Sequence, residues 1–214
     1  MTSADSLPAH QLLGLFDSPF VRRVAITMTH YGMPFEHVSL SVFRHMEQMR
    51  PLNPLFKVPM LTLPTGEKLH ESAYQLDYLD EWAEGQGRQA LTPQHGALRR
   101  EVLQKIALAT IAVEKAVGLA YEARRPSELV WHEWVQRLRE QMRLALDQLE
   151  AALSGEWLVG AKMTQADITT AVTVGFIRFV LPAEWPTGRY PALEKLAARL
   201  EATPGFLAVP IDKE

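Results

Sequence analysis

The chain has 214 residues, 47% hydrophobic and 22% charged, with a formal net charge of -3. That balance is enough for one large core or two small ones with an ordinary soluble surface, and it argues against a disordered chain or one drawn to nucleic acid by bulk charge. Cysteine is absent, which excludes disulfides, thiolate metal sites and any enzyme-borne thiol nucleophile.

Met1 to Pro8 is polar and lacks the basic segment and apolar run of a secretory leader, so a cytoplasmic protein is expected. No stretch approaches the roughly 20 apolar residues that span a bilayer. The apolar run Gln11 to Phe16 closes at Asp17-Ser18-Pro19 and predicts a buried strand. From Pro19 the period turns helical, with Phe20, Val21, Val24, Ala25 and Met28 on one face, and Tyr31-Gly32 with Pro34 supplies the stop. Phe35 to Leu40 is a second strand candidate, followed by a loosely helical or irregular stretch to Pro51. Pro59 to Leu63 and Lys68 to His70 flank the turn Pro64-Thr65-Gly66-Glu67, a hairpin pattern. A helix from Ser72 to about Ala83 then turns Ala73, Leu76, Leu79 and Ala83 inward.

Residues 85–92, beginning Gly85-Gln86-Gly87, read as a linker between a mixed domain (10–84) and a helical one (93–214). Thr92-Pro93 predicts a helix start, with Val102, Ile106, Ala109, Val113, Ala116 and Ala120 as its apolar stripe. Arg125-Pro126-Ser127 breaks it. A second long helix carries Trp131, Val135, Leu138, Met142, Ala145, Leu149 and Ala152. A third starts at Thr164 and buries Ile168, Ala171, Val172, Gly175 and Phe179, and a last one spans about Ala192 to Ala202. No strand candidate follows the linker.

The doublets Arg22-Arg23, Arg99-Arg100 and Arg124-Arg125 read as solvated charges, and Trp131, Trp134, Trp157 and Trp185 as packing residues. The seven histidines show no i, i+4 pair with an intervening acid, so no metal is expected.

Four motifs in order add a family resemblance. Leu12 through Arg23, with Asp17-Ser18-Pro19-Phe20 at its centre, is similar to the first strand and helix of serine-type cytosolic glutathione transferases. Asn53-Pro54-Leu55-Phe56-Lys57-Val58-Pro59 resembles their loop before a cis-proline. Glu71-Ser72 resembles the acidic-Ser pair opening their third helix, and Thr164-Gln165-Ala166-Asp167 the capping box of their C-terminal domain. The pattern is closest to the tau class and to unassigned bacterial members. It implies an α/β thioredoxin-like N-terminal domain, an all-α C-terminal domain and a homodimer.

Each motif also has a reading without a ligand. Ser18-Pro19 is a helix cap with Pro at N1, Val58-Pro59 is an ordinary trans turn, Ser72 is a good cap, and Thr164 with Asp167 is a capping box. The resemblance adds roles to the first three. Val58 and Pro59 would present a peptide edge to the cysteinyl backbone of glutathione. Ser72 would hold the γ-glutamyl carboxylate at a helix N-terminus, and Glu71 the α-ammonium. Ser18 would donate to the glutathione sulfur, which as a free thiol has a pKa of about 8.5 and needs stabilising as thiolate. The tau class places a lysine ahead of the Asn-Pro for the glycyl carboxylate. None stands here, and Arg44, His45 and Lys57 are the candidates.

The reaction implied is conjugation of glutathione to a small hydrophobic electrophile, bound between the domains by Phe16, Phe20, Thr110, Val113 and Val117. Two alternatives within the resemblance are a zeta-type glutathione-dependent isomerase and a non-catalytic, starvation-protein-like binder. Neither nucleic acid nor membrane is expected as a partner.

Overall fold

The computed structural model describes residues 9–211. The polar segment Met1 to Pro8 lies outside them. By its contacts the chain divides into two units. The first runs to Gln89 and takes in the segment from Ala208; the second is Ala90–Leu207. The sequence reading gave that last segment to the helical domain, but it is fastened to the first unit, where buried Arg22 donates from Nε to Val209 O at 2.9 Å.

The first unit is built on four strands, β1 (His10–Leu13), β2 (Phe35–Val38), β3 (Met60–Thr62) and β4 (Lys68–His70), in the order β2-β1-β3-β4. β1 runs parallel to β2 and antiparallel to β3, and β3 pairs antiparallel with β4. The first strand ends earlier than its apolar run because Gly14 takes φ 128°. A Cβ there would come within 2.6 Å of Val21 Cγ2 and 2.9 Å of Val58 Cβ, so only glycine lets these three backbones converge.

Helix α1 (Pro19–Tyr31) connects β1 to β2. It stops at Gly32, φ 64°, with Met33 N–H on Met28 O at 2.9 Å, a Schellman close. Its apolar face is as expected, with Val21, Val24, Ala25 and Met28 buried. The doublet Arg22-Arg23 is not solvated: both side chains are at most 4% exposed. The short helix α2 (Met46–Met49) lies in the stretch read as loosely helical or irregular, and α3 (Ser72–Gly85) follows β4. Its inward face is Ser72, Gln75, Leu76, Leu79, Asp80 and Ala83, while Ala73 is exposed. The i, i+3, i+4 spacing from Ser72 leaves Ala73 on the outer side.

Among its described residues the second unit has helices and no strand: α4 (Gly96–Glu122), α5 (His132–Ala152), α6 (Gln165–Val180), α7 (Pro191–Glu201) and the single turn α8 (Pro204–Leu207). α6 is buried along nearly its whole length, its threonines included, and α4 and α7 pack on it. α4 starts later than Thr92-Pro93 suggested. That segment runs through bends and is held outside the helix by Gln165 N–H on Leu91 O (3.1 Å) and Arg99 Nη1 on Pro93 O (3.0 Å). Trp131 and Trp134 stand 64% and 38% exposed, stacked on each other at the start of α5 instead of in the core. Phe179, in the last turn of α6, is exposed as well.

Thr164 and Asp167 form the capping box at the head of α6. Asp167 is fully buried and does more than cap. Its carboxylate accepts from Thr164 N (2.8 Å), Thr164 Oγ1 (2.9 Å) and Leu158 N (2.8 Å). Burial pushes this carboxyl above the ordinary aspartate range, while those bonds pull it back. An ordinary cap is worth about 0.5–2 kcal/mol. Asp167→Ala strands two buried backbone donors at about 1–3 kcal/mol each, so it should cost roughly 3 kcal/mol or more. Urea unfolding measures this, and a loss below about 1 kcal/mol would contradict the bridging role.

Candidate functional site

Within the first unit, the segments singled out from sequence converge on one end of the sheet. The β3–β4 ladder begins at Met60 opposite His70, so Val58-Pro59 and Glu71-Ser72 flank the same end of the hairpin. The Val58–Pro59 peptide is cis. Neither the N–H nor the C=O of Val58 has a hydrogen-bond partner among the described residues. Gly14 packs on Val58 and Val21, which brings the intervening turn with Ser18 to the same place.

Asn53 shapes the loop ahead of Val58. It is fully buried, donates from Nδ2 to Lys57 O (2.6 Å) and accepts from Leu55 N (3.2 Å) at Oδ1. Among the described residues, the non-glycine positions with positive φ are Phe56 (50°) and Glu71 (62°), one on each side of the cis peptide's neighbourhood. Such a conformation costs an ordinary residue roughly 1–2 kcal/mol, and strain of this kind gathers at sites of function.

Glu71, not Ser72, is the cap residue of α3, and it makes no side-chain cap bond. Its carboxylate instead meets Lys57 Nζ in an ion pair whose side chains are 50% and 68% exposed. Ser72 opens the helix, almost fully buried. Its Oγ accepts from Arg23 at both Nη2 (2.6 Å) and Nε (3.2 Å). With the oxygen so used, the hydroxyl hydrogen is left to donate, and no described residue accepts it. The backbone N–H groups of Ser72 and Ala73 are also without partners among the described residues. A helix start with free N–H groups favours an anion.

Ser18 caps α1, but loosely: Val21 N reaches its Oγ only at 3.5 Å. Phe16 lies flat on His37, ring centroids 3.8 Å apart, and His37 Nε2 bonds Gly14 O at 2.6 Å. Phe20 is half-buried, with the Arg23 guanidinium 5.7 Å from its ring. His45 accepts from Ser41 N at Nδ1 (3.0 Å), which leaves Nε2 as its donor. Arg44 is exposed. Thr110, Val113 and Val117 belong to the second unit, on α4, where Val113 is buried and the other two half-buried.

Residues 12–87 match the family model of the glutathione S-transferase N-terminal domain, and residues 133–207 that of the C-terminal domain. The chain belongs to the glutathione S-transferase family. Among relatives of this family, the Escherichia coli (strain K12) protein YibF, described as an uncharacterized GST-like protein, is 28% identical over 198 residues. That match covers 92% of this chain and 96% of YibF. Glutathione S-transferase U6 of Arabidopsis thaliana is 28% identical over 79% of this chain and 67% of its own length. A glutathione S-transferase from Methylobacterium radiotolerans, solved with glutathione sulfonate, superposes with a TM-score of 0.88 at 27% identity. It covers 96% of this chain and 97% of its own. A family member from Pseudomonas fluorescens with bound glutathione gives 0.84 at 28% identity, covering 96% and 100%. The thioredoxin-like first domain and helical second domain are thus those of the transferase family.

Arg23, Asn53 and Gln75 were not picked out as site residues from sequence. Asn53 stands in the quoted loop, and a buried amide there was within reach. Arg23 sits on the polar side of a simple helical wheel, and only the packing of α3 against α1 turns it inward.

Proposed function

We propose that this chain binds glutathione at the Val58, Glu71 and Ser72 end of the sheet and directs its thiol at a small hydrophobic electrophile. The carrying observation is that, among the described residues, the N–H and C=O of Val58 have no partner, beside a helix start whose first two N–H groups have none either. A peptide ligand pairing with an exposed backbone edge uses the first, and a carboxylate uses the second. Glutathione has both, and transferases similar to this chain were solved with glutathione or its sulfonate bound.

In this reading the cysteinyl backbone pairs with Val58 ahead of Pro59. The γ-glutamyl carboxylate meets the Ser72 hydroxyl and N–H, held in orientation by Arg23. Glu71 exchanges Lys57 for the α-ammonium, at little cost, because an exposed ion pair is worth about 0–1 kcal/mol. The freed Lys57, Arg44 or the Nε2–H of His45 takes the glycyl carboxylate. Ser18 donates its hydroxyl to the sulfur, since its capping bond uses only the oxygen. Phe16 and Phe20, with Thr110, Val113 and Val117, are assigned to the electrophile.

Glu71→Gln and Ser72→Ala should each weaken glutathione binding about tenfold or more, because hydrogen bonds to charged groups are worth about 1.5–3 kcal/mol. Calorimetry finding both variants unchanged would remove the site. Ser72→Ala should also lower the melting temperature by leaving buried Arg23 short of an acceptor, which Glu71→Gln should not.

The thiol test compares Ser18→Ala with Ser18→Thr, following ultraviolet absorbance of bound thiolate against pH. Alanine should raise the bound thiol's pKa and slow conjugation with little change in affinity, and threonine should keep part of both. An unmoved titration in the alanine variant would leave Ser18 a helix cap and the protein a binder. The same reading carries a twofold homodimer, the commonest closed assembly. Sedimentation equilibrium returning a monomer at micromolar concentration would reject it.

A further inference from the structure

Gln75 lies one turn into α3 and is completely buried. Its Nε2 donates to Pro59 O at 3.1 Å and to Leu69 O at 2.8 Å, which uses both amide hydrogens. The two carbonyls settle the orientation, since turning the amide over would set three acceptor oxygens against one another. Its own Oε1 is buried with no partner among the described residues. Buried polar atoms normally find one, so packing alone gives no reason for glutamine where leucine would fill the space.

The reason lies in what the two carbonyls belong to. Pro59 follows the cis peptide directly, and Leu69 is two residues ahead of Glu71. The ladder between these arms stops at Met60 opposite His70. Beyond that point the Lys57–Glu71 pair joins them only at the surface. Gln75 is the buried tie between the two.

We propose that Gln75 is a positioning residue which sets the separation between the Val58 peptide edge and the Glu71-Ser72 helix start, so that one glutathione reaches both. The inference rests on the glutathione reading above. Gln75 does not touch the ligand; it acts through the Pro59 and Leu69 carbonyls. A ligand held by two subsites gains from the link between them only while their spacing is right. Loss of the tie should therefore cost the two-armed ligand and spare a ligand that uses one arm.

The experiment uses the full chain as wild type, Gln75→Leu and Gln75→Asn, with thermal unfolding as the check on folding. Glutathione is titrated by calorimetry and cysteinylglycine, which lacks the γ-glutamyl arm, by competition. Gln75→Leu should bind glutathione about tenfold more weakly and cysteinylglycine within about twofold of wild type. Asparagine, one methylene shorter, reaches one carbonyl at most and should fall between. If the leucine variant does not fold, the asparagine variant carries the same comparison. Equal loss of both ligands, or glutathione binding within about twofold of wild type, overturns the proposal while the glutathione reading stands. Wild type that fails to bind glutathione overturns both.

Discussion

The contact on which the first unit's geometry depends is the buried one between Arg23 and Ser72. A guanidinium taken out of water has to be given acceptors, and leaving it without them costs several kcal/mol. One of those acceptors is the Ser72 oxygen, met by two of its N–H groups. The bond fastens the middle of α1 to the first residue of α3. Since Ser18 caps α1 and Ser72 opens α3, two helix N-termini are held in one frame. Gly14 completes that frame by letting Val21 and Val58 close to contact.

Most of the element order was legible in the sequence because it follows from period and punctuation. Asp17-Ser18-Pro19, Gly32 and Gly66 each mark a change of direction that the backbone takes. The cis bond at Val58 was legible only through the family resemblance, since nothing local distinguishes it from an ordinary X-Pro turn. The misreadings share a cause. Arg22 and Arg23 were assigned to water because charged residues are rarely buried, but α1 is covered by α3 and by the segment around Val209. Trp131 and Phe179 were assigned to the core by hydrophobicity, yet each sits at a helix end, where the packed face runs out. Burial here is decided by what packs on an element, which its own residues do not record.

The candidate site was legible in its residues but not in their pairings. Ser18, Val58, Pro59, Glu71 and Ser72 were quoted from motifs, and they lie at one end of the sheet. That Lys57 would pair with Glu71, or that a glutamine would join the two arms, needed coordinates. Both pairings join different elements, Lys57 in the loop before β3 to Glu71 at the head of α3, and Gln75 in α3 to Pro59 and Leu69, so the period within one element carries no information about them.

Those pairings divide the polar contacts of the site into two kinds. Arg23 with Ser72, and Gln75 with Pro59 and Leu69, are buried, so breaking them strands groups that water cannot reach. Lys57 with Glu71, and the long bond from Val21 to Ser18, are exposed or weak, and water or a ligand replaces them at small cost. The glutathione site proposed here needs both. Fixed contacts keep the backbone donors aimed, so little ordering is required when the ligand arrives. Exchangeable contacts keep Glu71 and Lys57 oriented without committing them. The division follows burial for the first kind and exposure or bond length for the second, and in the proposed site it separates the residues that shape the cradle from those available to hold what enters it.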